Sequence, residues 1–177
     1  MIVDGFNVYK LTNIVRYSQQ SKLKNESVAE HSYFVMWFIS HLCTKYELSD
    51  KIKLMAMESG LMHDVPEVIT NDITYDVKQM IPEVSALLQP YEEDIIKEHS
   101  AIAHKVLFHP ETVEEKLAKR IVKHADILSV YQYCYNEEKL GNANFIELRK
   151  ATQDRLKVSR TQLEQLVKEV KENAKEQ

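Results

Sequence analysis

Glycine and proline are scarce in this chain of 177 residues, which contains 3 glycines and 4 prolines. Sandwiches of many strands, Rossmann folds and phosphate-holding glycine loops all need more turn-forming residues than this. The patterns Gly-x-x-x-x-Gly-Lys and Gly-x-Ser-x-Gly are also missing, which excludes a P-loop NTPase and leaves a serine hydrolase without support. These absences favour an all-α fold.

Cysteine, basic runs and long apolar runs are scarce as well. Cys43 and Cys134 stand far apart and form no Cys-x-x-Cys pair, so neither a disulfide framework nor a thiolate zinc site is indicated. The net charge is −4 and basic residues form no stripe, so we expect no general binding to nucleic acids. Without 18 consecutive apolar residues or a recognisable secretory peptide, we expect a cytoplasmic chain with no membrane span.

Helical signals dominate what is present. Ser27 with Glu30, and Thr112 with Glu115, match capping boxes, which mark helix starts. Residues 33–39 are apolar all around, which predicts a helix at the centre of a bundle, with Phe34, Met36 and Trp37 in the core. The predicted helices span residues 8–19, 27 onwards, 50–64, 92–108, 112–141 and 145–170, with a turn at 70–74. We expect one helical domain over residues 1–177 whose last ten or so residues fray.

The seven histidines fall into different helical positions. His99, His104 and His109 are five residues apart, so their rings point about 140° away from one another on a regular helix and cannot share a metal there. His31 and the pair His63-Asp64 differ, because they lie at helix ends beside polar segments. An imidazole and a carboxylate together are costly to bury unless a cation joins them. A divalent metal would supply that charge.

A further ligand would have to come from later in the chain, and Asp126 is the best candidate. It lies among apolar residues of the long predicted helix. His124, two residues earlier, points about 200° away, so the two cannot both face one ion. From the residues alone, a structural role for Asp126 is as well supported as a role as a metal ligand.

His31, His63-Asp64 and Asp126 in this order resemble the H…HD…D signature of HD-domain metal-dependent phosphohydrolases. The flanking sequence is similar to the bacterial 5′-deoxynucleotidase branch. Three blocks carry the resemblance: SVAEHS at 27–32, MHDVPEVITND at 62–72 continuing to Lys78, and VKHAD at 122–126 with the later Gly-Asn at 141–142. The HD pair alone is a weak motif, but the three blocks in order are specific and cover most of residues 14–145.

The resemblance implies a site, residue by residue. It implies an all-α HD-type bundle that holds one divalent ion, Co, Mn, Zn or Mg, through His31, His63, Asp64 and Asp126. It implies that Glu67 and Asp72 act beside the reacting phosphate and sugar, in roles that could be exchanged, and that Arg16 binds phosphate. Tyr17 replaces the tryptophan usual after that arginine and, with the segment from residue 75 to Lys78, would shape substrate specificity. The family also implies a homo-oligomer, a dimer or larger.

Three functions follow as hypotheses. The first is hydrolysis of the 5′-phosphate of deoxynucleoside monophosphates to deoxynucleoside and phosphate. The second keeps the same metal site but cleaves deoxynucleoside triphosphates, as the similar compact phage dATP triphosphohydrolases do. The third, from another class, is a catalytically silent nucleotide-binding module, which the intact set of ligands and carboxylates disfavours.

Overall fold

A computed structural model describes residues 5–175, except for the side chains of Phe6 and Tyr75. Its described residues form no named strand, and they confirm the predicted all-α fold. The helices are α1 (Gly5–Val8), α2 (Val28–Lys45), α3 (Asp50–Met62), α4 (Glu67–Thr70), α5 (Tyr75–Met80), α6 (Pro82–His99), α7 (Ala101–Phe108), α8 (Val113–Lys139) and α9 (Ile146–Asn173), with 3-10 turns at Tyr9–Thr12 and Ala143–Phe145.

Both capping boxes are present as predicted. The Ser27 side chain accepts the Glu30 N–H while the Glu30 carboxylate accepts the Ser27 N–H, and Thr112 and Glu115 do the same at the start of α8. These bonds satisfy amides that a helix leaves free in its first turn. Helices α2 and α8 therefore begin where the sequence predicts.

The centre of the bundle is α8, which packs against α2, α3, α7 and α9. Its small and branched side chains, including Ala118, Ile121 and Ala125, are fully buried among residues of those neighbours. Gly60 of α3 lies so close to α2 that an added Cβ would stand 2.2 Å from Cδ1 of Ile39. The absence of a side chain at residue 60 is what permits this close approach of α3 to α2.

Helix α2 is buried on one side only, which corrects the prediction of a central helix. Val35 and Ile39 are fully buried, whereas Tyr33, Phe34 and Trp37 are exposed, Trp37 by 54%. Large aromatic side chains on this helix therefore do not all belong to the core. Trp37 stacks instead on His41, with ring centroids 5.6 Å apart.

The predicted helix over residues 8–19 is also wrong beyond residue 12. The chain leaves the 3-10 turn at Asn13 and pairs with the segment before α2, where Val15 and Ser27 form an isolated bridge. Hydrogen bonds from Arg16 N to Glu26 O and from Val28 N to Ile14 O extend this pairing. These partners outside the segment replace the bonds that a helix would have supplied.

Residues 92–108 do not form one helix either. Ser100 ends α6 in an extended conformation and its side chain accepts the Ala103 N–H, which caps α7. A serine can offer the backbone this alternative to a continuous helix. Helix α6 also begins earlier than expected, at Pro82, and Pro90 lies within it.

The predicted turn at 70–74 is present, and α4 and α5 flank it. Asn71 ends α4 with a φ of 58° and a ψ of 175°, a positive-φ conformation that is uncommon for a residue other than glycine. At the other end of the chain, α9 continues to Asn173, through much of the tail expected to fray. Across residues 5–175, no helix combines the length and apolar character needed to span a bilayer.

Candidate active site

Four side chains from three parts of the fold converge beside α8. His31 comes from the second turn of α2, His63 and Asp64 from the end of α3, and Asp126 from the middle of α8. His31 Nε2 lies 3.2 Å from Asp126 Oδ1 and 3.5 Å from Asp64 Oδ2, while His63 Nε2 lies 3.2 Å from the same Asp64 oxygen. The structure therefore brings together all four residues predicted as ligands, here called the metal centre.

The donor atoms of this centre fit a divalent ion. His31 Nε2 and His63 Nε2 are buried and lack a partner with hydrogen-bond geometry. Buried polar atoms are rarely left unpaired in proteins. Together with Asp64 they form a group whose ligand atoms all lie within 4.8 Å of one another. Two imidazoles and two carboxylates suit zinc and other first-row divalent metals.

The remaining nitrogen of each histidine is hydrogen-bonded, which orients both rings. His31 Nδ1 lies 3.0 Å from Ser129 Oγ, and His63 Nδ1 lies 2.7 Å from the carbonyl oxygen of Gly60. Such contacts commonly hold metal-binding histidines in the correct tautomer. Sequence reasoning missed Ser129, although it lies three residues after Asp126 and therefore on the same face of α8.

Electrostatics keeps both carboxylates of the metal centre ionised. Burial alone would raise the pKa of Asp64, but His63 and then His31 hold that pKa well below its ordinary value. Burial likewise opposes ionisation of Asp126, and the close contact with His31 lowers its pKa. Burial lowers the pKa of His31. Burial also acts to lower the pKa of His63, but the negative charge of Asp64 outweighs this effect and raises the pKa of His63 to about 9.

Arg16 lies in a buried ion pair next to this centre. Its Nη1 is 3.3 Å from Glu26 Oε2, and both side chains are largely buried. Arg16 is also within electrostatic reach of Asp64 and Asp126. Burial is the main reason that the pKa of Glu26 is raised to about 7. Sequence reasoning missed Glu26. This residue lies beside Arg16 because Val15 and Ser27 form a bridge, and such a pairing produces no helical periodicity in the sequence.

Tyr17 is held rigidly beside Arg16. Its ring stacks on Tyr133 with centroids 4.6 Å apart and an angle of 2° between the planes. Its hydroxyl is buried without a hydrogen-bond partner, and burial raises its pKa far above the ordinary value. A cavity of about 120 Å³ lies next to these residues and is lined in part by Glu26, Ser129 and Tyr133.

Glu67 and Asp72 occupy the short segment after the HD pair. Glu67 begins α4, and its Oε2 is buried without a partner. Burial, and then the charges of Asp64 and Asp72, raise the pKa of Glu67 to about 9, while Lys78 of α5 opposes this shift. Asp72 and Lys78 are half-buried and near enough to affect Glu67 electrostatically. Tyr75, the first residue of the predicted specificity segment, has its side chain outside the described part.

His124 lies on the opposite side of α8 from Asp126, as the helical geometry predicts. It is buried, and its Nδ1 lies 3.0 Å from Ser159 Oγ of α9. This contact belongs to helix packing rather than to the metal centre. The side of α8 that faces α2 and α3 is the one that carries Asp126 and Ser129.

The helical bundle has the fold of known HD-domain phosphohydrolases. An HD-domain phosphohydrolase from Listeria innocua has the same fold, with a TM-score of 0.63 at 23% identity over 92% of this chain and 82% of that one. The HD phosphohydrolase DatZ of cyanophage S-2L, solved with dA and one catalytic Zn²⁺ ion, has a TM-score of 0.64 at 21% identity over 96% and 99% of the two chains.

Residues 6–174 match the model of the 5′-deoxynucleotidase YfbR-like family, and the chain belongs to that family. A 5′-deoxynucleotidase from Yersinia pseudotuberculosis is 26% identical over an alignment of 163 positions, which covers 84% of this chain and 80% of that protein. Family and fold confirm the predicted resemblance and the prediction of a hydrolytic enzyme.

Proposed function

We propose that this enzyme hydrolyses the 5′-phosphate of deoxynucleoside monophosphates, giving a deoxynucleoside and inorganic phosphate. The observation that carries the proposal is the convergence of His31, His63, Asp64 and Asp126, with two buried imidazole nitrogens facing the two carboxylates without hydrogen-bond geometry. Membership of the 5′-deoxynucleotidase YfbR-like family supports the same substrate class.

These four residues would hold one divalent ion, Co, Mn, Zn or Mg. Such an ion supplies Lewis acidity, which offsets phosphate charge and makes water a stronger acid. The DatZ structure, with its one catalytic Zn²⁺ ion, supports a divalent metal in this fold. Ser129 and the carbonyl group of Gly60 keep the two histidine rings oriented for binding.

Arg16 binds the phosphate of the substrate. Its guanidinium group can contact two phosphate oxygens at once, which a lysine cannot do. The ion pair with Glu26 holds Arg16 in place before substrate arrives, so less side-chain freedom is lost on binding. Its nearness to Asp64 and Asp126 supports contact with a phosphate at the metal centre.

Glu67 takes the proton of the attacking water, and Asp72 contacts the sugar or assists the leaving oxygen. The pKa of Glu67 is raised by burial and by the charges of Asp64 and Asp72. A positive charge beside Asp64 offsets the repulsion between the Asp64 and Glu67 carboxylates, and it therefore lowers the pKa of Glu67 towards neutral pH. A general base works best when its pKa is close to the working pH.

Tyr17 and Lys78 contribute to substrate binding. The Tyr17 hydroxyl is buried and unpaired, so a hydroxyl or base atom of the substrate would supply its missing partner. Stacking on Tyr133 holds that hydroxyl in one position. Lys78 adds a positive charge on the Glu67 side of the site.

Turnover of a panel of deoxynucleoside mono-, di- and triphosphates, each with Mg, Mn, Co and Zn, tests the proposal. We expect release of inorganic phosphate from monophosphates. Release of tripolyphosphate from triphosphates would support the alternative triphosphohydrolase, and nucleotide binding without turnover would support a silent module. A parallel set of ribonucleotides reports how Tyr17 affects sugar selectivity.

Matched variants test the assigned residues. Asp64→Asn should abolish turnover together with metal binding at the metal centre, while Asp154→Asn, at an exposed site on α9, should change neither. Glu67→Gln should keep the metal but slow hydrolysis by about 100-fold or more. Its control is Glu147→Gln, at an exposed position. Wild-type rates in Asp64→Asn or Glu67→Gln would contradict the site.

We infer further that the chain forms one domain and assembles into a homo-oligomer in a reducing cytoplasm. The exposed Tyr33 and Trp37 support a contact between copies, and the free, buried Cys43 and Cys134 support a reducing compartment. Light scattering measures the oligomeric state, and a monomer at working concentration would contradict the assembly. Limited proteolysis tests the single domain, and cell fractionation tests the compartment.

A further inference from the structure

A second cluster of metal-ligand side chains lies where α6 meets the end of α7. It consists of Glu93 from α6, His104 from α7 and His109, which follows α7 directly. Glu93 Oε1 lies 2.8 Å from His104 Nε2 and 2.6 Å from His109 Nε2. The three ligand atoms all lie within 4.8 Å of one another. None of them belongs to the metal centre.

Two breaks in the helices create this cluster. On a continuous helix His104 and His109 would point about 140° apart, but α7 ends at Phe108 and His109 leaves the helical path with a φ of −130° and a ψ of 49°. Their ring centroids are therefore only 5.1 Å apart. The break at Ser100 turns α7 back along α6, which brings Glu93 opposite both rings.

The ligand atoms have the chemistry and spacing that a borderline divalent metal requires. Two imidazole nitrogens and one carboxylate oxygen form a recognised set of three protein ligands for zinc. Ligands about 2.0–2.1 Å from a tetrahedral ion stand about 3.3 Å apart, so each Glu93 to histidine distance would open by about half an ångström. Hydrogen bonds from His109 and His104 lower the pKa of Glu93, which keeps its carboxylate ionised.

Access from solvent differs between the three side chains. Those of His104 and Glu93 are 18% and 25% exposed, whereas that of His109 is 59% exposed. An ion can therefore enter without disturbing the core, and water can complete its coordination. Because His109 lies just outside a helix, it can move by the small distance that coordination needs.

We propose that Glu93, His104 and His109 form a second binding site for a borderline divalent cation such as Zn²⁺. The bound ion fastens α6 to the end of α7. Helix α6 packs on α5, which carries Lys78, and α7 packs on α3, which ends beside His63 and Asp64. The second site therefore stabilises the helices that pack against the segments carrying Lys78 and the His63-Asp64 pair.

Zinc stoichiometry in four forms of the full chain tests the proposal separately from the catalytic function. The probe is Zn²⁺ alone, titrated against a chromophoric zinc indicator, with bound zinc measured after dialysis. The forms are the wild type, the metal-centre variant His63→Ala/Asp64→Asn, the variant His104→Gln/His109→Gln, and the control His41→Gln, at an exposed histidine outside both sites. Circular dichroism checks that each form remains folded.

We expect the metal-centre variant to keep one zinc and to show a higher thermal midpoint when zinc is added. The variant His104→Gln/His109→Gln should lose that site, with at least a 100-fold weaker affinity, while retaining zinc at the metal centre and hydrolytic activity. The control should match the wild type.

The same zinc stoichiometry in His104→Gln/His109→Gln as in the wild type would overturn the proposal, as would the complete absence of zinc from the metal-centre variant. Either result would leave Glu93 as a hydrogen-bond acceptor for two histidines and nothing more. If the wild type binds a single zinc that is lost only with His104 and His109, the second site stands and the proposed function fails.

As a more conservative check, Glu93→Gln keeps a hydrogen-bond acceptor of the same size and removes only the charged ligand. It should weaken zinc binding at the second site without altering the helical circular dichroism. An unchanged zinc affinity in Glu93→Gln would remove Glu93 from the ligand set and overturn the three-ligand site.

Discussion

Ser129→Ala isolates the contribution of a single hydroxyl to metal binding. His31 is completely buried, and Ser129 Oγ, 3.0 Å from its Nδ1, is the hydrogen-bond partner that orients the ring. Removing the hydroxyl leaves a buried ring nitrogen unpaired, which costs about 1–3 kcal/mol. At about 1.4 kcal/mol for each factor of ten, we expect the affinity for metal at this centre to fall by about 10–100-fold, the range typical of such orienting contacts.

Helix α8 offers a matched control. Ser159 of α9 lies 3.0 Å from Nδ1 of the buried His124, so Ser159→Ala removes the same bond at the same distance on the other side of α8. Both variants should lower the free energy of unfolding by similar amounts in urea titrations. Only Ser129→Ala should weaken metal binding in a competition titration. Equal metal affinities in the two variants would refute the reasoning.

Three further predictions concern charge and pH. Glu137→Ala should lower the free energy of unfolding by about 2–4 kcal/mol, because the buried Glu137 carboxylate accepts hydrogen bonds from the Leu23 N–H and two other donors. A urea titration measures this change, and a loss below about 1 kcal/mol would contradict the prediction. With the pKa of His63 raised to about 9, metal binding must displace a proton, so affinity should rise about tenfold per pH unit from pH 6 to 8; a flat titration series would show otherwise. Burial and nearby cations lower the pKa of His124 to about 4, so the unfolded chain, with a value near 6.5, takes up the proton first. Stability of about 3 kcal/mol should therefore be lost as pH falls from about 6.5 to 4, and His124→Gln should flatten that part of the profile.

Sequence signals predicted the fold correctly where the structure that they indicate depends only on residues close together in the chain. The capping boxes at Ser27 and Thr112 are complete within four residues, so nothing distant could override them. The aromatic face of α2 was assigned wrongly because apolar character predicts burial only when another element covers it. Tyr33 and Trp37 have no such cover among the described residues.

The candidate site was predictable for a different reason. Helical geometry allowed only one of Asp126 and His124 to face a given point, the resemblance to HD-domain phosphohydrolases favoured Asp126, and the structure brings Asp126 to His31. Glu26 could not be found in this way, since it reaches Arg16 through an isolated bridge between irregular segments. The approach of His104 to His109 likewise could not be predicted. It depends on where α7 ends, because a continuous helix would keep the two rings apart.

Gly60 gives the bundle a point where architecture and chemistry depend on the same atoms. Its missing side chain admits Ile39, and its carbonyl oxygen accepts a hydrogen bond from His63. A methyl group there would displace the end of the Ile39 side chain on α2, the helix that delivers His31. A substitution at this residue would therefore alter the packing beside the metal centre from a position that touches no ion.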